Sequence, residues 1–143
     1  MPALRCLTID DHAAILALWQ RAGLHSIRPE GRDSRSEFEK QFARGQIAIG
    51  LEEAGQLIGV VIVTNDTRKG WINRLAIDPD YRRRGYGEQL VYAAEEALHE
   101  AGMKLIAAFI EEGNDASLAL FEKLGYAVHQ SIYYVSKRDS AGA

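Results

Sequence analysis

The chain has 143 residues, 47% hydrophobic and 26% charged with three prolines, which suits one packed domain over 1–143 and excludes a disordered or fibrous chain. Seventeen basic against twenty acidic side chains give a formal charge of -3, which argues against a nucleic-acid partner held on a broad positive face. The single cysteine, Cys6, excludes an intramolecular disulfide and a cysteine-rich metal site, and no apolar run reaches the roughly 18 residues of a membrane span. The expectation is a soluble, unexported, cytoplasmic protein with no membrane partner and no metal.

In chain order, Leu4 and Cys6 alternate with Arg5 and Leu7 in a short first strand, and the carboxylates of Asp10 and Asp11 then open a helix. Its apolar positions Ile15, Leu18, Trp19 and Ala22 recur at spacings of three and four, and Gly23 stops it. From Leu24 to Arg35 no periodicity survives Pro29, Gly31 and several charges, so a surface loop is expected, followed by a short helix over Ser36 to Arg44. Ile47, Ile49 and Leu51 read as a strand, Leu57 to Val63 as a second, and Glu53 to Gln56 as the hairpin between them. A turn over Asn65 to Gly70 leads into a third strand, Trp71 to Ile77, which Asp78-Pro79 ends. Between Glu88 and Ala101, Leu90, Val91, Ala94, Ala97 and Leu98 mark one helical face. Lys104 to Ile110 is a continuous apolar strand expected to be buried on both faces. Asn114 and Asp115 start a helix that turns Leu118, Phe121 and Leu124 inward and ends at Gly125. Ala127 to Val135 reads as a last strand, and Asp139 to Ala143 as a frayed tail.

Arg82-Arg83-Arg84-Gly85-Tyr86-Gly87 follows a strand and an Asp-Pro turn and precedes a helix. The first amides of a helix lack intrahelical partners and sit at the positive end of its dipole, so this segment is an anion site in waiting. Glycine at 85 and 87 removes the Cβ atoms that would hold a phosphate off the backbone, and the arginines add charged donors. The alternative is a tight turn beside solvated arginines. A Walker loop needs Gly-Lys followed by Ser or Thr, and a dinucleotide fingerprint needs glycine where Leu90 stands, so both are excluded.

The string from Ile72 to Gly87, I-N-R-L-A-I-D-P-D-Y-R-R-R-G-Y-G, resembles the coenzyme A signature of the GNAT superfamily of N-acetyltransferases. The string from Asn114 to Tyr126 is similar to the family's second signature, an asparagine-started helix ending in Gly-Tyr. The resemblance implies an α/β (α+β) domain with a mixed, mostly antiparallel sheet flanked by helices and a splayed strand pair that takes acetyl-CoA. It implies that amides from Arg83 to Glu88, with Arg82 opening the motif, hold the pyrophosphate. It further implies that main-chain groups of Leu75, Ala76 and Ile77 pair with the pantetheine arm, and that an N–H near Leu75 faces the thioester oxygen. Asn114 contacts the pantetheine arm on the same reading; its other role is a helix cap. The implied reaction is acetyl transfer to a primary amine of a small molecule or peptide, with a homodimer possible. A non-catalytic acyl-CoA-binding module is the alternative, and its motive is what stands at the family's chemical positions.

Phe121 occupies the place where the family commonly has the tyrosine that protonates the departing thiolate, and it reads as a core or cofactor-packing residue. Asn73 and Phe109 stand where a glutamate base is often found. Glu111 shares the Phe109 face by strand alternation and offers a base at the strand's end, or a solvated carboxylate. On the last strand alternation lets only one of Tyr133 and Tyr134 point inward, as a replacement acid or as packing. The loop from Leu24 to Arg35 and the turn from Asn65 to Gly70 are expected to border the acceptor, with Arg28 and Arg32 either meeting an acceptor carboxylate or solvated.

Overall fold

The computed structural model describes residues 1–143. Five strands lie side by side in chain order: β1 (Ala3–Cys6), β2 (Ile47–Glu53), β3 (Gln56–Asn65), β4 (Gly70–Ile77) and β5 (Ile106–Ala108). The first four pair antiparallel, because short hairpins join β2 to β3 and β3 to β4; β5 pairs parallel to β4. The parallel pair needs a long crossover, and α3 (Tyr86–Glu100) supplies it. The tight β2–β3 turn uses Ala54 and Gly55, both with positive φ, as a two-residue hairpin requires.

The apolar strand residues divide by face. One buried cluster gathers Ile49, Val61, Val63 and Ile72 under α3 and Phe121 of α4 (Asp115–Lys123). The other gathers Leu57, Val60, Ile62 and Ala76 under α1 (His12–Ala22) and α2 (Arg35–Ala43). The central strand β3 is thus buried on both sides, which is why its sequence is a β-branched run rather than an alternation. Helix starts follow their caps. The Oγ of Ser34 accepts the amide of Glu37 at 3.3 Å, and Oδ1 of Asn114 accepts the amide of Ser117 at 3.3 Å. No helix is long and apolar enough to cross a membrane.

Two expected strands are corrected. Pairing in the region of Lys104 to Ile110 is confined to Ile106–Ala108, and Leu105 and Phe109 are exposed rather than buried. The cause lies in β4, which carries a bulge at Arg74 and Leu75, just past Ile72, its last residue paired with β5. Ala127 to Val135 forms no strand: its amides donate to no backbone group, and its side chains are exposed. Strand propensity is a fit to a half-buried pleated surface, and here no neighbouring strand supplies one.

Candidate active site

At the C-terminal end of β4 the buried carboxylate of Asp78 accepts Arg21 Nε at 3.0 Å and the amide of Asp80 at 3.0 Å, fixing the turn that leads to α3. Gly85 then opens α3 with φ of +81°. The amides from Arg83 to Glu88 donate to no group of the protein. The helix therefore presents a set of open N–H donors at its positive end. The three arginines differ in role. Arg82 reaches back to the carbonyls of Ala22, at 3.2 Å, and Ile77, at 3.4 Å. Arg84 donates to Asp80 O at 3.3 Å and lies over the Tyr81 ring. Arg83 alone has no protein partner, and its φ is +64°. Tyr86 starts the helix and packs against the core. The first-turn carboxylate of Glu88 is engaged by Lys123 Nζ and Tyr92 OH, each at 3.2 Å.

At Gly87 a Cβ would lie 3.2 Å from Leu120 Cδ2, so glycine there also suits the close approach of α3 and α4. At Gly85 a Cβ would meet nothing within 4 Å, and the positive φ is what calls for glycine.

Next to this helix terminus the sheet divides. β4 and β5 are in register at Gly70↔Ile106, Trp71↔Ala107 and Ile72↔Ala108, and pairing stops there while β4 runs on to Ile77. At the same point Val60 faces Ala76 but Ile62 faces Asn73, so Arg74 and Leu75 together oppose Val61. Arg74 sits at φ +49° in this bulge. The extra residue breaks the period of two. Asn73 and Arg74, adjacent in sequence, both line the α1/α2 face, while Leu75 and Ile77 pack toward α3. Beyond Ile72 the β4 edge is open along Leu75, Ala76 and Ile77, although Arg82 Nε already uses the carbonyl of Ile77.

A cavity of about 340 Å³ lies where the strands part. Asn73 and Phe109, the first residues past the paired register, line it together with Trp19, Arg32, Asp33 and Arg74. Asp33 is only 3% exposed. Its carboxylate takes Arg74 Nη1 at 2.5 Å, Arg74 Nη2 at 3.2 Å and the amide of Arg28 at 2.7 Å. The Arg74 guanidinium also stacks 4.6 Å above the Trp19 ring. Ser26, Arg32 and Asp33 of the 24–35 loop line the cavity, whereas none of the Asn65 to Gly70 turn does.

The side chains chosen from sequence as acid or base are not brought together. Glu111 is exposed beyond β5, its carbonyl accepting the amide of Asn114. Tyr133 and Tyr134 are 92% and 73% exposed, so the expectation that one points inward is corrected; without a strand there is no inward face. Tyr134 lies beside the rim aromatic Phe109, with ring centroids 5.3 Å apart. Phe121 is buried, edge-on to Tyr126 at 4.9 Å. Sequence reasoning missed Trp19, Asp33 and Arg74. The one signal for Arg74 is the pair Asn73-Arg74 interrupting the apolar alternation of Ile72, Leu75 and Ile77.

Residues 12–126 match the Acetyltransferase (GNAT) family. An acetyltransferase of Sodalis glossinidius is 29% identical over 136 residues, with 94% of each chain covered. The PaiA N-acetyltransferase of Thermoplasma acidophilum, solved with coenzyme A, superposes with a TM-score of 0.80 at 18% identity, covering 92% of this chain and 93% of that one. AAC(6')-Iy, solved with the bisubstrate analogue CoA-S-monomethyl-acetylneamine, superposes with a TM-score of 0.79 at 15% identity, covering 96% and 99%. With the family matched over most of its length, the chain belongs to the GNAT acetyltransferases and is an acetyl-CoA-dependent enzyme.

Proposed function

We propose that this enzyme transfers the acetyl group of acetyl-CoA to a primary amine of a small molecule or peptide in the cytoplasm. The observation that carries the reading is the divided sheet, which joins an open helix N-terminus at one end to a polar cavity at the other. The amides from Arg83 to Glu88 and the side chain of Arg83 receive the pyrophosphate. The open edge of Leu75 and Ala76 receives the pantetheine arm as an added strand. The bulge turns the backbone at Leu75 so that its N–H meets the thioester oxygen, where charge develops. Phe121 supports the slot from the core, and Asn114 serves as the cap of α4. The bisubstrate analogue bound by AAC(6')-Iy, CoA-S-monomethyl-acetylneamine, supports an amine acceptor.

In the reaction the amine nitrogen attacks the thioester carbon; a C–N bond forms, the C–S bond breaks, the nitrogen loses a proton and the thiolate gains one. Asn73 Nδ2 donates to Thr64 Oγ1 at 3.1 Å, which leaves Oδ1 to accept an N–H of the incoming amine at the point where the strands part. Asp33 is held by Arg74 and Arg28, so no carboxylate in the cavity stands ready as a base. The rate with an alkylamine, whose pKa is about 10, therefore rises through and above neutrality. Calorimetric titration with acetyl-CoA followed by a thiol-release pH profile tests this. A plateau near pH 6 to 7 that Glu111→Gln removes would instead make Glu111 the base, and cofactor binding without release for any amine would refute the transfer.

A further inference from the structure

Two buried donors on residues that line the cavity have no partner. Trp19 is 1% exposed, and its Nε1–H donates to nothing; the same holds for Nε–H of Arg32. Both residues line the cavity. Leaving a buried donor unsatisfied is costly, and each one in a native structure calls for an acceptor, whether water, ion or ligand. The other side-chain donors of Arg32 are in use, Nη2 giving to Ser26 O at 2.7 Å and Nη1 to Ala143 O at 3.5 Å, and Arg74 Nη2 gives to the same Ser26 carbonyl at 3.2 Å. That shared acceptor brings the two guanidinium groups side by side.

Charge points the same way. Among the residues lining the cavity the ionic side chains are Arg32, Arg74 and Asp33, two positive against one negative. Arg74 claims the Asp33 carboxylate in a two-point pair, while Arg32 Nε stays 3.9 Å from it, beyond hydrogen-bond reach. Burial and the neighbouring Arg74 cation lower the pKa of Arg32, with Arg138 and Arg28 adding to the repulsion and Asp33 opposing it. An added negative charge relieves that crowding.

We propose that the cavity selects acceptors that carry a carboxylate as well as the amine, the carboxylate bound by Trp19 Nε1–H and Arg32 Nε–H and the amine directed to Asn73 at the strand division. The inference rests on the amine-transfer reading and narrows it to amino-acid-like acceptors. Asp33 holds Arg74 in place, so that Arg32 faces the carboxylate. Arg32 and Trp19 are specificity residues, and Asp33 is a positioning residue.

The test compares the free L-amino acids with their carboxamides and decarboxylated amines in a thiol-release assay. The ratio of kcat/KM within each matched set is the readout. Wild type is expected to prefer the acid by tenfold or more, through KM. Arg32→Gln, at the cavity rim, narrows the preference at least fivefold, while Arg32→Lys, which keeps the charge but not the Nε–H, narrows it in part. Trp19→Phe gives the same direction; should that core variant unfold, the Arg32 pair decides. Acceptor binding is also read by tryptophan fluorescence, which the acids quench and the amides do not. Equal kcat/KM for acid and amide, or a preference that Arg32→Gln leaves intact, overturns the carboxylate assignment alone. Release from none of the amines, with acetyl-CoA bound by calorimetry, overturns the amine-transfer reading and this proposal together.

Discussion

Phe121 shows how a single residue divides the sequence reading from the structural one. The family pattern puts a proton donor at its position, and the helical stripe puts an apolar residue there; the ring is 4% exposed and packs edge-on to Tyr126, so packing has prevailed. The polar handle of this corner is Tyr126, whose hydroxyl donates to Glu95 Oε2 at 2.5 Å. Burial first, and then that bond, raise its pKa well beyond the usual value, which keeps it protonated throughout the working range. Phe121→Tyr is expected to lower stability by about 1 to 3 kcal/mol through a buried, unpaired hydroxyl, with no gain in turnover, and Phe121→Ala by about 3 to 5 kcal/mol. Thermal melts and thiol release on the same samples check both. An unchanged melt with faster release in Phe121→Tyr would put the ring edge beside the cofactor sulfur. Asp33 and Arg74 were illegible for a different reason: they are 41 residues apart, and nothing local to either predicts an ion pair that only the loop and the bulge together create.

At the scale of elements, local chemistry was readable and register was not. Caps, turn residues and the 3.6 period located the helices to within about two residues, but a bulge leaves no signature in a period-two reading except the break itself. The α3 N-terminus carries a prediction that separates its two glycines. Gly85→Val forces a β-branched residue to φ near +81° and is expected to weaken coenzyme A binding tenfold or more, whereas Gly87→Ala requires only that the end of the Leu120 side chain give way by a few tenths of an ångström. Affinity in wild type falls as salt rises, because the contacts are charged and exposed. Calorimetry at two ionic strengths reads all three, and an unaltered affinity in folded Gly85→Val would move the phosphate elsewhere. The start of α1 carries a second prediction. Asp11 Oδ2 accepts the amide of Thr8 at 2.8 Å, while Thr8 Oγ1 accepts that of Asp10 at 3.2 Å. The two hydrogen bonds from Arg5 above all, helped by the Thr8 amide and opposed by burial, hold the Asp11 carboxyl below the usual range. A depressed folded pKa gives stability that is present above the unfolded value of about 3.9 and is lost as pH falls through the folded one. Asp11→Asn should therefore flatten the acid limb of the melting-temperature profile below about pH 4, and an unchanged limb would refute the linkage.

For the whole molecule, the sheet flanked by helices was legible through the family resemblance, and the strand that demands helices on both sides is β3 rather than the Lys104 to Ile110 run expected to be buried on both faces. What pattern cannot provide is a neighbour. Val128, Ile132, Tyr133 and Val135 have strand-forming side chains, yet their segment lies open to solvent, and the outer edge of β5 is unpaired. An edge strand with free donors and acceptors is a template for another strand, and β5 limits that hazard by being three residues long. Hydrogen exchange reads this arrangement directly. Amides in β2 and β3, bonded on both sides and buried, open only with the global fold and exchange slowest. Those from Ala127 to Val135 donate to no backbone group, so they are expected to exchange near the rate of an unfolded chain in the isolated enzyme. Adding coenzyme A should slow exchange at Leu75 and from Arg83 to Glu88 while leaving this segment fast. Slow exchange from Ala127 to Val135 without ligand would show that the segment pairs with the β5 edge in solution. In that case the sheet continues beyond β5, and Tyr133 or Tyr134 regains a face toward the strand division.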